Sequence, residues 1–365
     1  MKKVLYSLGV IIPVIALLSA LSFGLLHSNG VKAAPSCTPT GFNRDNLNLT
    51  AAMIVTANNF HVSGQVNAYG CNIGIYIGPG LTGTVSGAQV FGANYYGVVN
   101  NGSTVTVTLS QIHDIGENPL NGDQHGYGIY FAEDIGAKGT ISSNLVWNYQ
   151  KNGIVVRGVH SNATITKNTV IGQGPVNYIA QNGIEVGAGA KGSVTKNIVA
   201  GNAYTGTGDA TAAGVLVYGG SCYGVALTIG IKVNGNTLVG NDIGISLSNL
   251  DGTSCIPTQT PTNIKANVNI ITNDAVNNIS GAYPNAGGYQ AGISDQGDYD
   301  TMNKNSICGL GYTYVTPPPY LYLIDVSNTN NPTVSGNTSC LDGSPITAPI
   351  GSPVVHMTRH YRASF

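Results

Sequence analysis

Short apolar runs bounded by glycine and asparagine recur along the chain, and their periodicity is that of strands rather than helices. One unit is a glycine followed by Ile or Val. It appears at Gly74-Ile75, Gly97-Val98, Gly128-Ile129, Gly153-Ile154, Gly183-Ile184, Gly214-Val215, Gly244-Ile245 and Gly292-Ile293. A second unit, an apolar residue with Asn three positions later, lies between these. It appears at Ile141/Asn144, Ile165/Asn168, Val194/Asn197, Val233/Asn236, Ile264/Asn267 and Val334/Asn337, with Asn305 in weaker flanks. Within each unit alternate side chains point to opposite faces, as in Gly153-Ile154-Val155-Val156-Arg157. Repeat steps of a few tens of residues predict a coil of short strands, each stacked in parallel on the next coil about 4.8 Å away. Ile and Val stack inside, and a repeated Asn satisfies the backbone at the bend. The longer step between Gly244 and Gly292 predicts an inserted coil or a long loop around Thr253–Thr262.

The chain opens with Met1-Lys2-Lys3 and an apolar run to Leu26, then Val31-Lys32-Ala33, the pattern of a cleaved export signal. Residues 1–33 are read as that signal, 34–70 as an N-terminal cap, 71–342 as the solenoid and 343–365 as a loose tail. The expected location is therefore extracellular, with no membrane anchor after cleavage. Six cysteines in such a compartment predict disulfides. Cys37 and Cys71, Cys222 and Cys255, and Cys308 and Cys340 each lie about one coil apart, so these pairs are expected to meet on adjacent turns. No Cys-x-x-Cys is present, which removes a thiolate metal site.

Only 8% of the 365 residues are charged and 50 are glycine, which excludes a coiled coil and a charged solvating tail. Fifteen basic residues against 16 acidic ones give no overall basic footprint, so nucleic acid is not an expected partner.

The Asn-Gly-Ile and Ile-x-x-Asn repeats, in runs such as Tyr149-Gln150-Lys151-Asn152-Gly153-Ile154 and Ala180-Gln181-Asn182-Gly183-Ile184, resemble the right-handed parallel β-helix proteins of the pectin-lyase-like superfamily. The resemblance covers roughly Cys71 to Asn337. It implies an all-β solenoid and, by analogy of fold alone, extracellular polysaccharide as the partner.

With Ile129, Ile154, Ile184 and Val215 pointing in, strict alternation puts Tyr130, Lys151, Arg157, Gln181, Glu185 and Tyr218 on one exposed sheet face. Extra residues at 113–125, 172–180 and 201–211 all precede the Gly-Ile strand, so they are expected to stack as a wall beside that face. Elimination from an acidic glycan needs a cation to neutralise the uronate and a base for its C5 proton. Lys151, Arg157 and His125 are the catalytic candidates; Tyr130, Gln181, Glu185, Tyr218 and His113 are the substrate-binding ones. Asp123, Glu133 and Asp134 are candidate Ca²⁺ ligands, and the two histidines are expected in exposed loops. Tyr96 and Tyr127 fall on the inward side of the alternation.

A glycoside hydrolase is disfavoured, because no doubled Asp or Gly-His-Gly occurs; Asp123-Gln124-His125-Gly126 matches only in part. A non-catalytic glycan-binding or surface-layer protein is the alternative to a lyase. An ice- or surface-binding rod would need a regular Thr-x-Thr array, and the outward columns are too mixed for one.

Overall fold

The computed structural model describes residues 36–132, 135–208, 210–277, 288–313 and 320–347. The segment expected to be a signal, Glu133, Asp134, Asp209, the Pro317–Pro319 run and the end of the tail lie outside them.

Three parallel walls build a β-helix, as the repeat predicts. The first wall stacks Leu47–Val55, Ile73–Ile77, Tyr96–Asn100, Tyr127–Phe131, Asn152–Arg157, Asn182–Gly187, Ala213–Gly219, Ile243–Asp251, Tyr289–Asp295 and Tyr320–Asp325 in that order. The second wall runs from Thr104–Thr108 through Lys138–Ser142, Asn162–Thr166, Lys191–Thr195, Lys232–Asn234, Lys265–Asn267 and Thr301–Asn303 to Thr333–Ser335. The third begins at Gln111–Ile115 and ends at Thr338–Ser339. In the first coils the long strands Phe60–Asn67 and Thr82–Phe91 bend to serve both the second and third walls.

Each wall contributes one apolar column to the core. Ile75, Val98, Ile129, Ile154, Ile184, Val215, Ile245, Ile293 and Ile324 pair in register along the first wall, all fully buried. Burial of each such side chain contributes about 1.5–3 kcal/mol. Ile245 pairs directly with Ile293, so the long Gly244–Gly292 step holds no extra coil. Part of its length is an excursion in which Ile256–Pro257 folds back on Leu250–Asp251.

The repeated glycines answer to close approach, not to an unusual φ. A Cβ on Gly153 would lie 2.4 Å from Val170 Cγ1 and 2.6 Å from the Gly183 carbonyl oxygen, and Gly74, Gly97, Gly128 and Gly183 meet equivalent neighbours. The ladder register skips this glycine: Asn152 pairs with Asn182 and Ile154 with Ile184. The alternation therefore slips there in both strands at once, with no shift of register between them. Tyr96 and Tyr127, expected inside, instead join Tyr76, Tyr130 and Phe42 in a cluster on the outer side of the first wall. Phe42 reaches them from the antiparallel hairpin Thr38–Arg44/Leu47–Val55, with its ring 6.0 Å from Tyr76, 6.1 Å from Tyr96 and 6.5 Å from Tyr130.

A buried asparagine ladder closes the corner between the second and third walls. At Asn168 the backbone N–H and the side-chain amide both donate to Asn197 Oδ1, at 2.9 and 3.0 Å, while Nδ2 also donates to the Ile141 carbonyl at 2.9 Å. Asn144, Asn197, Asn236, Asn269, Asn305 and Asn337 continue the pattern. Asn267, expected in this ladder, is two positions short of it and lies in register with Asn234. Strand Lys265–Asn267 pairs with Lys232–Asn234, so Ala266 takes the inward place of Val233 and Asn269 takes the ladder. Disulfides join Cys37 to Cys71, Cys222 to Cys255 and Cys308 to Cys340, the three pairings that the coil spacing predicts.

Candidate functional site

Tyr130, Lys151, Arg157, Gln181, Glu185 and Tyr218 do come together along the first wall, but not on an open face: none is more than 7% exposed. Arg157 Nε donates to Glu185 Oε1 at 2.6 Å, and its guanidinium lies 5.6 Å from the Tyr127 ring and 5.8 Å from that of Tyr218. Glu185 Oε2 accepts from Asn152 Nδ2 at 2.9 Å, and Asn152 Oδ1 accepts from Asn182 at 3.1 Å. Lys151 Nζ donates to the Ala180 carbonyl at 3.0 Å. Gln181 Nε2 donates to the carbonyls of Tyr149 and Gln150, and its oxygen accepts from the Gln173 N–H. Burial pushes the Lys151 ammonium down to about 8; Glu185 opposes that shift and Arg157 adds to it. Alternation set the side of the sheet correctly for Tyr130, Arg157, Glu185 and Tyr218, but it carries no information about what lies on top of them.

The insertions do stack at one corner. Gly174, Pro175 and Val176 pair with Asn202, Ala203 and Tyr204. His113 is not in a loop: it lies on strand Gln111–Ile115, buried, with its ring stacked 4.2 Å from Trp147 and 5.3 Å from Phe91. Both faces of that imidazole are taken by neighbouring rings, which leaves none for a sugar.

His125 is likewise buried rather than exposed, stacked 3.8 Å from Tyr95, with Nε2 2.9 Å from Glu117 Oε1. Glu117, Asp123 and His125 offer ligand atoms all within 4.8 Å of one another. Burial, then Asp45, Glu117 and Asp123, push the Tyr95 phenol up, a sign of acidic surroundings. Of the expected Ca²⁺ ligands, Asp123 joins this cluster, and Glu133 and Asp134 are not among the described residues.

The outer surface of the second wall was not singled out from the sequence. One column runs Thr84, Thr106, Thr140, Thr164, Ser193, Lys232, Lys265, Thr301 and Thr333; the next runs Ser86, Thr108, Ser142, Thr166, Thr195, Asn234, Asn267, Asn303 and Ser335. The expectation that the outward columns are too mixed for a Thr-x-Thr array fails here, because the second wall presents one over its first coils. Rows are about 4.8 Å apart and alternate residues about 6.6 Å apart. Lysines flank this hydroxyl floor, and Lys232 and Lys265 enter its first column. Lys138, Lys191, Lys232 and Lys265 lie on the strands, and Lys167, Lys196 and Lys304 occupy the left-handed corner position that precedes the ladder asparagine. All seven are exposed, and they are every described lysine except Lys151. Among the described residues no acidic side chain lies on either column. The signal was legible in Thr104-Val105-Thr106-Val107-Thr108 and in the pairs Lys167-Asn168, Lys196-Asn197 and Lys304-Asn305.

Residues 45–238 match the family described as a right handed beta helix region. No curated protein and no solved structure matches the chain.

Proposed function

The chain belongs to the right-handed β-helix family, and from that premise we propose that it is an exported protein that binds an acidic polysaccharide without cleaving it, along the outer surface of the second wall. One observation carries this reading: five exposed lysines border a flat Thr/Ser/Asn surface and two more, Lys232 and Lys265, stand within it, while it holds no described acid. In a chain with 8% charged residues, this is a concentrated field of one sign. An extended polyanion rich in hydroxyls complements it twice, through carboxylates or sulfates on the lysine rows and through sugar hydroxyls on the threonines. The three disulfides fit an oxidising compartment, where such polymers occur. The Lys138/Lys191 edge and the Lys167/Lys196/Lys304 corner are separated by roughly five residues of strand, about 16 Å, with Lys232 and Lys265 between them, and the lysine-bearing coils extend about 24 Å along the axis.

The buried seam of the first wall weighs against elimination. A lyase needs a cation free to neutralise the substrate, and the Arg157 charge is already met by Glu185 at 2.6 Å. One observation favours the elimination reading as a second possibility: Lys151, at about 8, has the ionisation of a general base.

The test is retention of the protein on alginate, polygalacturonate and a sulfated glycan, with a neutral glucan, duplex DNA and anionic lipid vesicles as comparison arms. A lysine facing a polyanionic surface contributes about 1 kcal/mol. Lys167→Gln/Lys191→Gln/Lys196→Gln is therefore expected to weaken glycan binding about a hundredfold. Binding should also fall steeply with salt. Equal retention of parent and triple variant, or binding to DNA or vesicles in place of glycan, overturns the proposal. Appearance of unsaturated oligosaccharides, lost in Lys151→Met, would establish the second reading.

A further inference from the structure

We infer that the Glu117–Asp123–His125 corner is a divalent transition-metal site of the zinc type, open on its solvent side. The inference is independent of glycan binding, since this corner belongs to the insertion between the third and first walls.

The ligand chemistry is mixed: one imidazole nitrogen and two carboxylates. Zinc accepts all three donors, whereas Ca²⁺ and Mg²⁺ favour oxygen alone. A tetrahedral ion with bonds of about 2.0–2.1 Å sets its ligand atoms about 3.4 Å apart. Here the three lie within 4.8 Å, with His125 Nε2 and Glu117 Oε1 at 2.9 Å. That pair needs to open by about half an ångström, and the exposed Asp123 has only to swing in.

Each carboxylate keeps an oxygen available. Glu117 uses Oε1 for His125 and Asn94, and Asp123 uses Oδ2 for Asn121. No hydrogen bond among the described residues engages Glu117 Oε2 or Asp123 Oδ1.

Two features outside the cluster orient it. An amide relay climbs three coils to reach it: the Thr50 N–H donates to Asn72 Oδ1, Asn72 Nδ2 to Asn94 Oδ1 at 3.0 Å, and Asn94 Nδ2 to Glu117 Oε1 at 3.1 Å. The relay fixes which way the Asn94 amide faces, and hence where Glu117 points; outer-shell partners commonly orient metal ligands in this way. The Tyr95 ring, 3.8 Å from the imidazole, fixes the plane of His125. Below them the fully buried Gln150 clamps the loop, its oxygen accepting from the N–H groups of Glu117 and Asn121 and its amide donating to the Asp123 carbonyl. Three protein ligands leave at least one coordination position for water or for an oxygen of a bound molecule.

The test is titration of metal-free protein with ZnCl₂, followed by calorimetry and by elemental analysis after gel filtration. CaCl₂ serves as a parallel arm, and the visible absorption of added Co²⁺ as a spectroscopic readout. One zinc per chain is expected, with Ca²⁺ binding at least tenfold weaker. Glu117→Gln and Asp123→Asn should each weaken zinc at least tenfold, and Asn94→Ala about 10–100-fold as an outer-shell change. His160→Gln, on an exposed histidine elsewhere, should leave zinc binding unchanged. Substoichiometric zinc, preference for Ca²⁺, or equal affinity in Glu117→Gln and Asp123→Asn overturns the inference and leaves a His125–Glu117 ion pair only. Asp123 is exposed, so its variant stays folded and decides the matter even where other substitutions disturb the corner.

Discussion

Replacing Lys151 with methionine removes the one lysine that folding withdraws from water. Its ordinary value is 10.5, and burial brings it down to about 8 in the folded chain. The unfolded chain therefore binds more protons between those limits, so this residue makes stability rise with pH from about 8 towards 10.5. Below pH 8 the charged form opposes folding by the full difference, about 3 kcal/mol. Raising the pH from 7 to 9.5 should recover about 2 kcal/mol of that. Methionine fills a similar volume without the charge, but it strips the Ala180 carbonyl of its donor at 3.0 Å, a loss of about 1–3 kcal/mol. The variant should thus be level with the parent or up to about 2 kcal/mol more stable at pH 7, and the less stable of the two at pH 9.5. Urea unfolding of both proteins at five pH values reads the difference directly. Asp242 and Asp300 also shift, but they are common to both chains and cancel. Parallel profiles for the two proteins would refute a depressed Lys151 and, with it, any role for that residue as a base near neutral pH.

Gly153→Ala forces a methyl against Val170 and the Gly183 carbonyl, one of them backbone; a loss of about 1–3 kcal/mol is expected in the same assay, and a loss below about 0.5 would mean the coils can spread. Val268 is a β-branched residue at φ 58° on the corner row where Gly235 and Gly336 also sit, so Val268→Gly should stabilise by about 1 kcal/mol, seen as a rise in Tm. Asp300 is pushed up to about 8 by burial and by the neighbouring Asp295. A raised carboxyl supports folding fully below about 4 and loses that support as the pH climbs through 8. Asp300→Asn should therefore flatten the decline in stability between pH 4 and 8, and an unchanged slope would show that Asp300 is ionised in the folded protein.

Much of the fold was legible because its causes are local and repeated. Each Gly-Ile or Gly-Val of the first wall marks a glycine that must meet the next coil's carbonyl, and the inward column follows from it without exception between Ile75 and Ile293. The cysteine pairs followed from the same coil length. The errors have equally local causes. The slip at each glycine moved Tyr96 and Tyr127 outward, because the glycine, passed over in both paired strands, breaks the period of two. Ile264 looked like a strand residue since it too is buried, but it lies one position before the strand. The burial of Lys151, Arg157, His113 and His125 was not legible at all. It depends on rings and loops brought over them from other coils, and periodicity within one strand says nothing of these.

The same distinction explains why rarity of charge misdirected the search for a site. In this chain a charged side chain has two ways to persist. It can be buried with its compensation built in, as Arg157 is with Glu185 and Tyr127, or it can stand in water on an outward column. The first kind draws the eye in sequence, since its members cluster beside conspicuous glycines. Buried compensated charge has little left to offer a ligand, because its hydrogen bonds and Coulomb field are spent internally. The second kind is scattered one or two lysines per coil and becomes a surface only when the coils are stacked: residues 167 and 196 are far apart in the chain yet share a corner row on adjacent turns. For a solenoid the informative pattern is therefore the column, read across repeats at a fixed position. Read that way, every described lysine except Lys151 falls on the outer side of the second wall or on its corner row.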